Sequence, residues 1–455
     1  MKTTNLSQGN PTKVLLLFAL PMILSVTLQQ VYNIADSAIA GNFINSDALA
    51  SVSITYPITM IYLSVATGLG AGIGVITSKF FGANDFKNTK TTITTSLIFS
   101  AILSLAMIIF GTCIIDWCLK AIDTPIEVFE DSKLYLKFYV FGLGFTYLYN
   151  VITCIFQSLG NSKTPLYFLI FSTVLNIILD LVFVICFKME VLGLALGTFI
   201  AQGFAMLGSL FFLLKAINKQ FTEKTKLFDS KILKSVLVIA IPSIIQGATI
   251  SLGQFFVQKK INSFGADLVA GYGAAYKLCY VVIHIFLAYS NAISNYTAQN
   301  IGAKTYDRIT KGFKSSLWIC LGFYVLMALV LILLPNVFLS IFLNSDANSE
   351  VVKYGTSFIY IVTPFLFLTA IKISIDGVLK GSKDMFSFIL GTFLDLIVRT
   401  VLVFVLGDQI GYVGIYIAWP IGWFIGALSS ITLYFVGRWK RKANFPNIEK
   451  LKPVE

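Results

Sequence analysis

Charge is what this chain has least of. Only 12% of its 455 residues are Asp, Glu, Lys or Arg, about half the usual share for a soluble domain. Hydrophobic residues make up 56% and the mean hydropathy is +0.82, which excludes a soluble globular protein and defines a polytopic membrane protein. Arginine is scarce, with only Arg308, Arg399, Arg438 and Arg441. The formal net charge of +12 is therefore mostly lysine. Phosphate and nucleic-acid sites favour the arginine fork, so the basic balance points elsewhere. Histidine occurs once, as His284, and one imidazole makes no metal site. The six cysteines include no C-x-x-C pair and no metal-ligand spacing, and read as small apolar helix residues. A Walker A loop, H-E-x-x-H and G-x-S-x-G are all missing, which argues against an ATP-driven pump and a membrane enzyme. The first apolar segment lacks an A-x-A cleavage site and is followed by many more spans, so it is expected to be a retained helix.

Long apolar runs are what the chain does have. Windows of about 20 apolar residues fall near 14–38, 50–78, 92–118, 134–158, 166–187, 192–214, 235–260, 268–298, 315–342, 354–379, 386–406 and 412–436. They predict twelve transmembrane helices. Lys and Arg divide unevenly between the two sets of loops, 24 against 7. By the positive-inside rule both termini are cytoplasmic, and the lysine-rich face matches anionic inner-leaflet lipid.

The chain also repeats itself. Ala19-Leu20-Pro21 recurs as Ala240-Ile241-Pro242, Thr77 with Phe81-Gly82-Ala83 as Thr297 with Ile301-Gly302-Ala303, and Ser162-Lys163 as Ser382-Lys383. The offset stays near 220. Six spans per half is an even number, so the halves insert with the same orientation, related by an axis along the membrane normal. The expected fold is all-α, with two pseudo-twofold-related six-helix lobes and a central cleft. The expected domains are an N-lobe at 1–214, a cytoplasmic linker at 215–234, a C-lobe at 235–436 and a basic tail at 437–455.

Two stretches place carboxylates inside spans. In the first helix Gln29, Asn33 and Asp36 are spaced i, i+4, i+7 and share a face. In the fifth, Asn176 and Asp180 are spaced i, i+4. An ionisable group at the bilayer centre costs about 2.5–3.5 kcal/mol even on a lenient scale, which a chain sustains mainly where the group faces protein interior or water. No Lys or Arg lies within a turn of Asp180. Such a carboxyl can take a proton or ligate a cation with neighbouring oxygens. Pro21 removes a backbone hydrogen bond about 22 Å before Asp36 and offers the first helix a bend. Asp395 and Arg399, also i, i+4, read as a structural ion pair. Asp376, with Lys372 and Lys380 four residues to either side, reads as paired too. His284 follows Lys277 by seven residues, on a shared face. Tyr32, Tyr56 and Tyr276, with Gln29, Asn33 and His284, are candidates to line the cleft.

Ala19-Leu20-Pro21, Gln29-Gln30, Asp36 and Ala48-Leu49-Ala50 together resemble the first helix and following loop of multidrug and toxic compound extrusion (MATE) transporters. Gly160-Asn161-Ser162-Lys163-Thr164-Pro165 with Asn176-x-x-x-Asp180 resembles the fifth helix and its loop, Gly193 to Gln202 the sixth, and Ala298-Gln299-Asn300-Ile301-Gly302-Ala303 the end of the eighth. The Gln29-Gln30 pair leans toward MepA-like or DinF-like bacterial members. The resemblance implies a secondary active exporter in the bacterial cytoplasmic membrane, antiporting drugs or toxic organic cations against inward Na⁺ or H⁺ by alternating access. It implies a cation site of Asp36, Asn176, Asp180 and Thr198, the last on the resemblance alone. Some members carry a helix-7 acid, where this chain has Gln254-Phe255-Phe256-Val257. The implied partners are small-molecule drugs and membrane lipid, without nucleic acid, and the implied state is a monomer. No cofactor is expected beyond the coupling ion. The rival reading is a lipid-linked precursor flippase of the same superfamily.

Overall fold

The computed structural model describes residues 4–39, 46–121, 124, 126–343 and 348–445. The side chains of 31, 33–38, 46–61, 121, 127, 128 and 131 fall outside that description. Asn33, Asp36 and Tyr56 therefore lie outside the described residues as far as their side chains are concerned. Among the described residues there is no strand, and 12 helices are long and apolar enough to cross a membrane.

The helices are α1 (Pro11–Ile39), α2 (Ser46–Gly82), α3 (Phe86–Ala121), α4 (Ile126–Ser158), α5 (Lys163–Leu181), α6 (Glu190–Gln220), α7 (Ser230–Asn262), α8 (Ala266–Gly302), α9 (Tyr306–Leu333), α10 (Pro335–Leu339), α11 (Ser349–Val362), α12 (Leu366–Gly381), α13 (Met385–Ile410), α14 (Tyr412–Val436) and α15 (Arg438–Lys442). Two breaks depart from the apolar windows, and both are proline effects. The ninth window ran through 315–342, but Pro335 ends α9 and starts the short α10, because the residue before proline is driven out of the helical region. The tenth window splits into α11 and α12 around a 3₁₀ turn at Thr363–Phe365 that contains Pro364. Tyr324 donates to the Pro364 carbonyl at 2.7 Å. By contrast α1 runs unbroken through Pro21, and Ser25 Oγ donates to the Pro21 carbonyl at 2.8 Å.

The chain divides into two compact units. Unit 1 comprises Met1–Asn5 with Phe18–Ile244, and unit 2 comprises Leu6–Leu17 with Ile245–Glu455. The division falls inside α1 and α7. The segment between α6 and α7 packs back on unit 1: Lys90 Nζ donates to the Phe221 carbonyl at 2.9 Å, and the Asp229 amide donates to Thr95 Oγ1 at 3.0 Å. Asp229 then caps α7 through the Lys231 amide at 2.9 Å.

Each unit repeats the other's internal contacts. Helices α2, α3 and α6 pack on α4 in unit 1, as α8, α9 and α14 pack on α12 in unit 2; α5 meets α6 as α13 meets α14. The turns repeat as well. Asn84 and Lys304 both have φ 57°. The Asp85 amide reaches the Phe80 carbonyl at 3.0 Å, and the Thr305 amide reaches the Asn300 carbonyl at 2.9 Å. Both close helices by the left-handed C-terminal motif, 220 positions apart as the sequence repeat requires.

Candidate cation site in unit 1

Helix α5 is amphipathic the membrane way round. Tyr167, Ile170, Phe171, Val174 and Ile178 are exposed, whereas Ser172, Thr173, Asn176 and Asp180 are buried. Spacings of three and four residues bring those four polar groups onto one face. Lipid solvates the apolar face, so the polar face turns into the protein. Asn176 and Asp180 are both 0% exposed. Beyond Leu181 the helix continues as a π-helical turn, Val182–Cys186, a local widening often found near functional residues.

The face meets α6 at Gly197 and Thr198. A side chain at Gly197 has no room: a Cβ there would overlap Asp180 Oδ1 and lie 3.1 Å from its Cγ. Glycine is thus what lets the two helices close on the carboxylate. Asn176 Nδ2 donates to Asp180 Oδ1 at 3.2 Å and to Thr198 Oγ1 at 3.4 Å. Helix α1 joins through Tyr32, whose hydroxyl lies 2.9 Å from Thr198 Oγ1. The buried Asn176 Oδ1 has no hydrogen-bond donor among the described residues. A carboxylate, an amide oxygen and two hydroxyls form a hard oxygen set of the type that Na⁺ accepts, and the carboxylate equally accepts a proton. Of the four residues that the resemblance grouped, Asp36, Asn176, Asp180 and Thr198, the structure brings Asn176, Asp180 and Thr198 together, and the Asp36 side chain lies outside the described residues. Sequence reasoning had placed Tyr32 among cleft residues, whereas Tyr32 bonds within this cluster. Gly197 was missed; a glycine beside a membrane hydroxyl was its only signal.

Gln29 is half-buried on α1. Tyr276, in unit 2, belongs to an aromatic ladder on α8: Tyr272–Tyr276 at 5.7 Å, Tyr276–Tyr280 at 5.4 Å and Tyr280–His284 at 4.2 Å between ring centres. Tyr280 was not singled out from sequence, although the four-residue spacing carries it. Lys277 turns instead to the Phe342 ring, 5.5 Å away. The ion pairs expected in unit 2 are present. Lys372 Nζ lies 2.6 Å from Asp376 Oδ2 and Arg399 Nε 3.8 Å from Asp395 Oδ1. Among the described residues no group of three His, Cys, Asp or Glu side chains is arranged to hold a metal.

Twelve candidate spans, an internal repeat and a buried carboxylate in a polar cluster of three helices define a repeat-built membrane transporter. The MatE family model matches residues 21–182 and 242–405, each stretch beginning at a proline of the repeat, and the chain belongs to this family of multidrug efflux transporters. It is 24% identical over 443 residues to "Probable multidrug resistance protein YpnP" of Bacillus subtilis (strain 168), covering 97% of this chain and 98% of that one. It is 22% identical over 425 residues to the "Multidrug export protein MepA" of Staphylococcus saprophyticus, covering 92% and 93%. In fold it matches a MOP superfamily transporter from Pyrococcus furiosus Vc1 with a TM-score of 0.91 at 21% identity, covering 97% and 99%.

Proposed function

We propose that the chain exports amphipathic or cationic compounds in exchange for inward Na⁺ or H⁺, by alternating access. The observation that carries this reading is the hydrogen-bonded cluster of Asn176, Asp180, Thr198 and Tyr32, which joins three helices around a buried carboxylate. That the compounds are drugs rests on the relatives, which are named for multidrug resistance and export; their amphipathic or cationic character rests on the family resemblance. Asp36, four residues after Tyr32 in sequence, is proposed as the second acid. Two carboxyls sharing one site hold a proton or a cation between them. Loading the site ties α1 to α5 and α6; unloading releases α1, whose missing hydrogen bond at Pro21 permits a bend. The cation drives transport only if it binds the two states of the cycle with different affinity. The aromatic ladder Tyr276–Tyr280–His284 is proposed to receive planar cations on its faces. Both termini are proposed to be cytoplasmic in a bacterial inner membrane, on the lysine distribution. The flippase alternative finds no support, since Lys372 and Arg399 each face a carboxylate and are not open to a pyrophosphate.

The test is ethidium efflux from proteoliposomes with ΔpH or ΔNa⁺ imposed one at a time. Asp36→Asn and Asp180→Asn should each abolish gradient-driven efflux while the protein stays in the membrane. Wild-type efflux by either variant under both gradients sinks the site.

A further inference from the structure

Unit 2 contains the repeat of the cation-site helix, with a fixed cation where unit 1 has its carboxylate. Thr173, Leu175, Asn176, Ile178 and Asp180 of α5 recur 219 positions on as Thr392, Leu394, Asp395, Ile397 and Arg399 of α13. Gly193-Leu194 and Thr198 of α6 recur as Gly414-Ile415 and Trp419 of α14. The neutral Asn176 thus corresponds to a carboxylate, the carboxylate Asp180 to a guanidinium, and the hydroxyl Thr198 to an indole.

The surroundings agree. Arg399 is 7% exposed, with its guanidinium 4.3 Å from the centre of the Trp419 ring and its Nε 3.8 Å from Asp395 Oδ1. Lys372 is 6% exposed. Its ammonium donates to Asp376 Oδ2 at 2.6 Å and to Thr392 Oγ1 at 2.9 Å, and Gln246 Nε2 donates to the same hydroxyl at 2.8 Å. Gly426 lets the two pairs approach: a Cβ there would stand 2.9 Å from Asp395 Cβ and 3.3 Å from Lys372 Cε. Each buried carboxylate in this part of unit 2 therefore has a covalently attached cation in the position where a mobile one would sit. A second Na⁺ would have to displace an ammonium or a guanidinium that cannot leave. An anionic ligand would have to compete with Asp376 and Asp395 for the same charges.

We infer that Lys372 and Arg399 are tethered counter-cations that close unit 2 to the coupling ion, so that the chain moves one cation per cycle, at Asn176–Asp180. This rests on the reading above that unit 1 holds the coupling site. The two are positioning residues, acting through Asp376 and Asp395.

Two measurements test it. In proteoliposomes clamped at zero membrane potential by valinomycin and equal potassium, the ethidium ratio at static head is measured against the imposed cation ratio. The slope of one logarithm on the other counts coupling cations. A slope of one, for whichever of Na⁺ or H⁺ drives efflux, is expected. A slope of two overturns the inference, and zero slope for both ions refutes the coupling reading and the inference with it. The second measurement is thermal unfolding in detergent, with Na⁺ replacing choline, in an Asp180→Asn background. That background alone should show no rise in Tm. Adding Lys372→Met or Arg399→Gln should create one, because a buried acid then loses the cation in contact with it and Na⁺ binds the folded state. Lys372→Arg and Arg399→Lys, which keep the charge, should create none. A Na⁺-dependent rise in Asp180→Asn alone, or none in either neutralised variant, overturns the inference. The static-head slope requires only the wild-type chain, so it decides the matter if the variants do not fold.

Discussion

Gly197→Ala tests the cation site through one methyl group. The added Cβ would overlap Asp180 Oδ1 and lie 3.1 Å from Cγ and 3.3 Å from the Asp180 backbone nitrogen. Relief requires the carboxylate to move by on the order of an ångström, since dispersion contacts favour about 3.5–4.0 Å. That movement breaks the 3.2 Å bond from Asn176. Overpacking of this kind costs about 1–3 kcal/mol. Replacing a mid-helix glycine by alanine returns about 1 kcal/mol of helix propensity. The net loss of stability is therefore about 0–2 kcal/mol, too little to remove the protein from the membrane. The proposed cation site loses its geometry, and at about 1.4 kcal/mol per tenfold an overpacking strain of about 1–3 kcal/mol lowers cation affinity by roughly fivefold to a hundredfold. The expected result is near-normal expression and Tm with gradient-driven efflux at roughly a fifth of wild type or less. Gly203→Ala is the control on the same helix: its nearest neighbour is the edge of the Phe145 ring at 3.3 Å, which can yield, and its efflux should match wild type. Full efflux by Gly197→Ala would show that the α5–α6 contact does not shape the coupling site.

Thr198→Val removes the hydroxyl that stands between Tyr32 and Asn176; efflux should fall several-fold at low cation gradient and recover in Thr198→Ser, and equal behaviour of the two would remove Thr198 from the site. Asp395→Asn leaves the buried Arg399 without its carboxylate, a change worth about 3–5 kcal/mol for a broken buried pair, so it should reduce expression and Tm before it alters coupling. Normal Tm with lost coupling would contradict the structural role given to that pair. A reporter active only outside the cytoplasm, fused after Glu455, should give no signal; a strong signal would invert the topology.

The number of spans, the repeat and the class of protein were decided by local properties of the chain. Apolar length and lysine placement are conditions that lipid imposes on every segment separately, so they are legible without knowing what packs on what. The i, i+4 pair Asn176–Asp180 was legible for the same reason: its cost in lipid is a property of its own helix. The broken spans at Pro335 and Pro364 carried their signal in single residues, which averaging over an apolar window conceals. Only the tertiary structure could decide which oxygens meet. The hydroxyls of Tyr32 and Thr198 lie 166 positions apart in sequence and 2.9 Å apart in space, and nothing in either helix specifies the other. The same holds for Gly197, whose missing side chain matters only because α5 arrives there with a carboxylate. In unit 2 the ion pairs could be read within one helix turn. That Thr392 links Lys372 to Gln246, and that Trp419 covers Arg399, depended on α7 and α14 closing around α12 and α13. Spacing along a helix is written in the chain, whereas the register between helices is fixed by packing, and packing is a sum over contacts that no single segment contains.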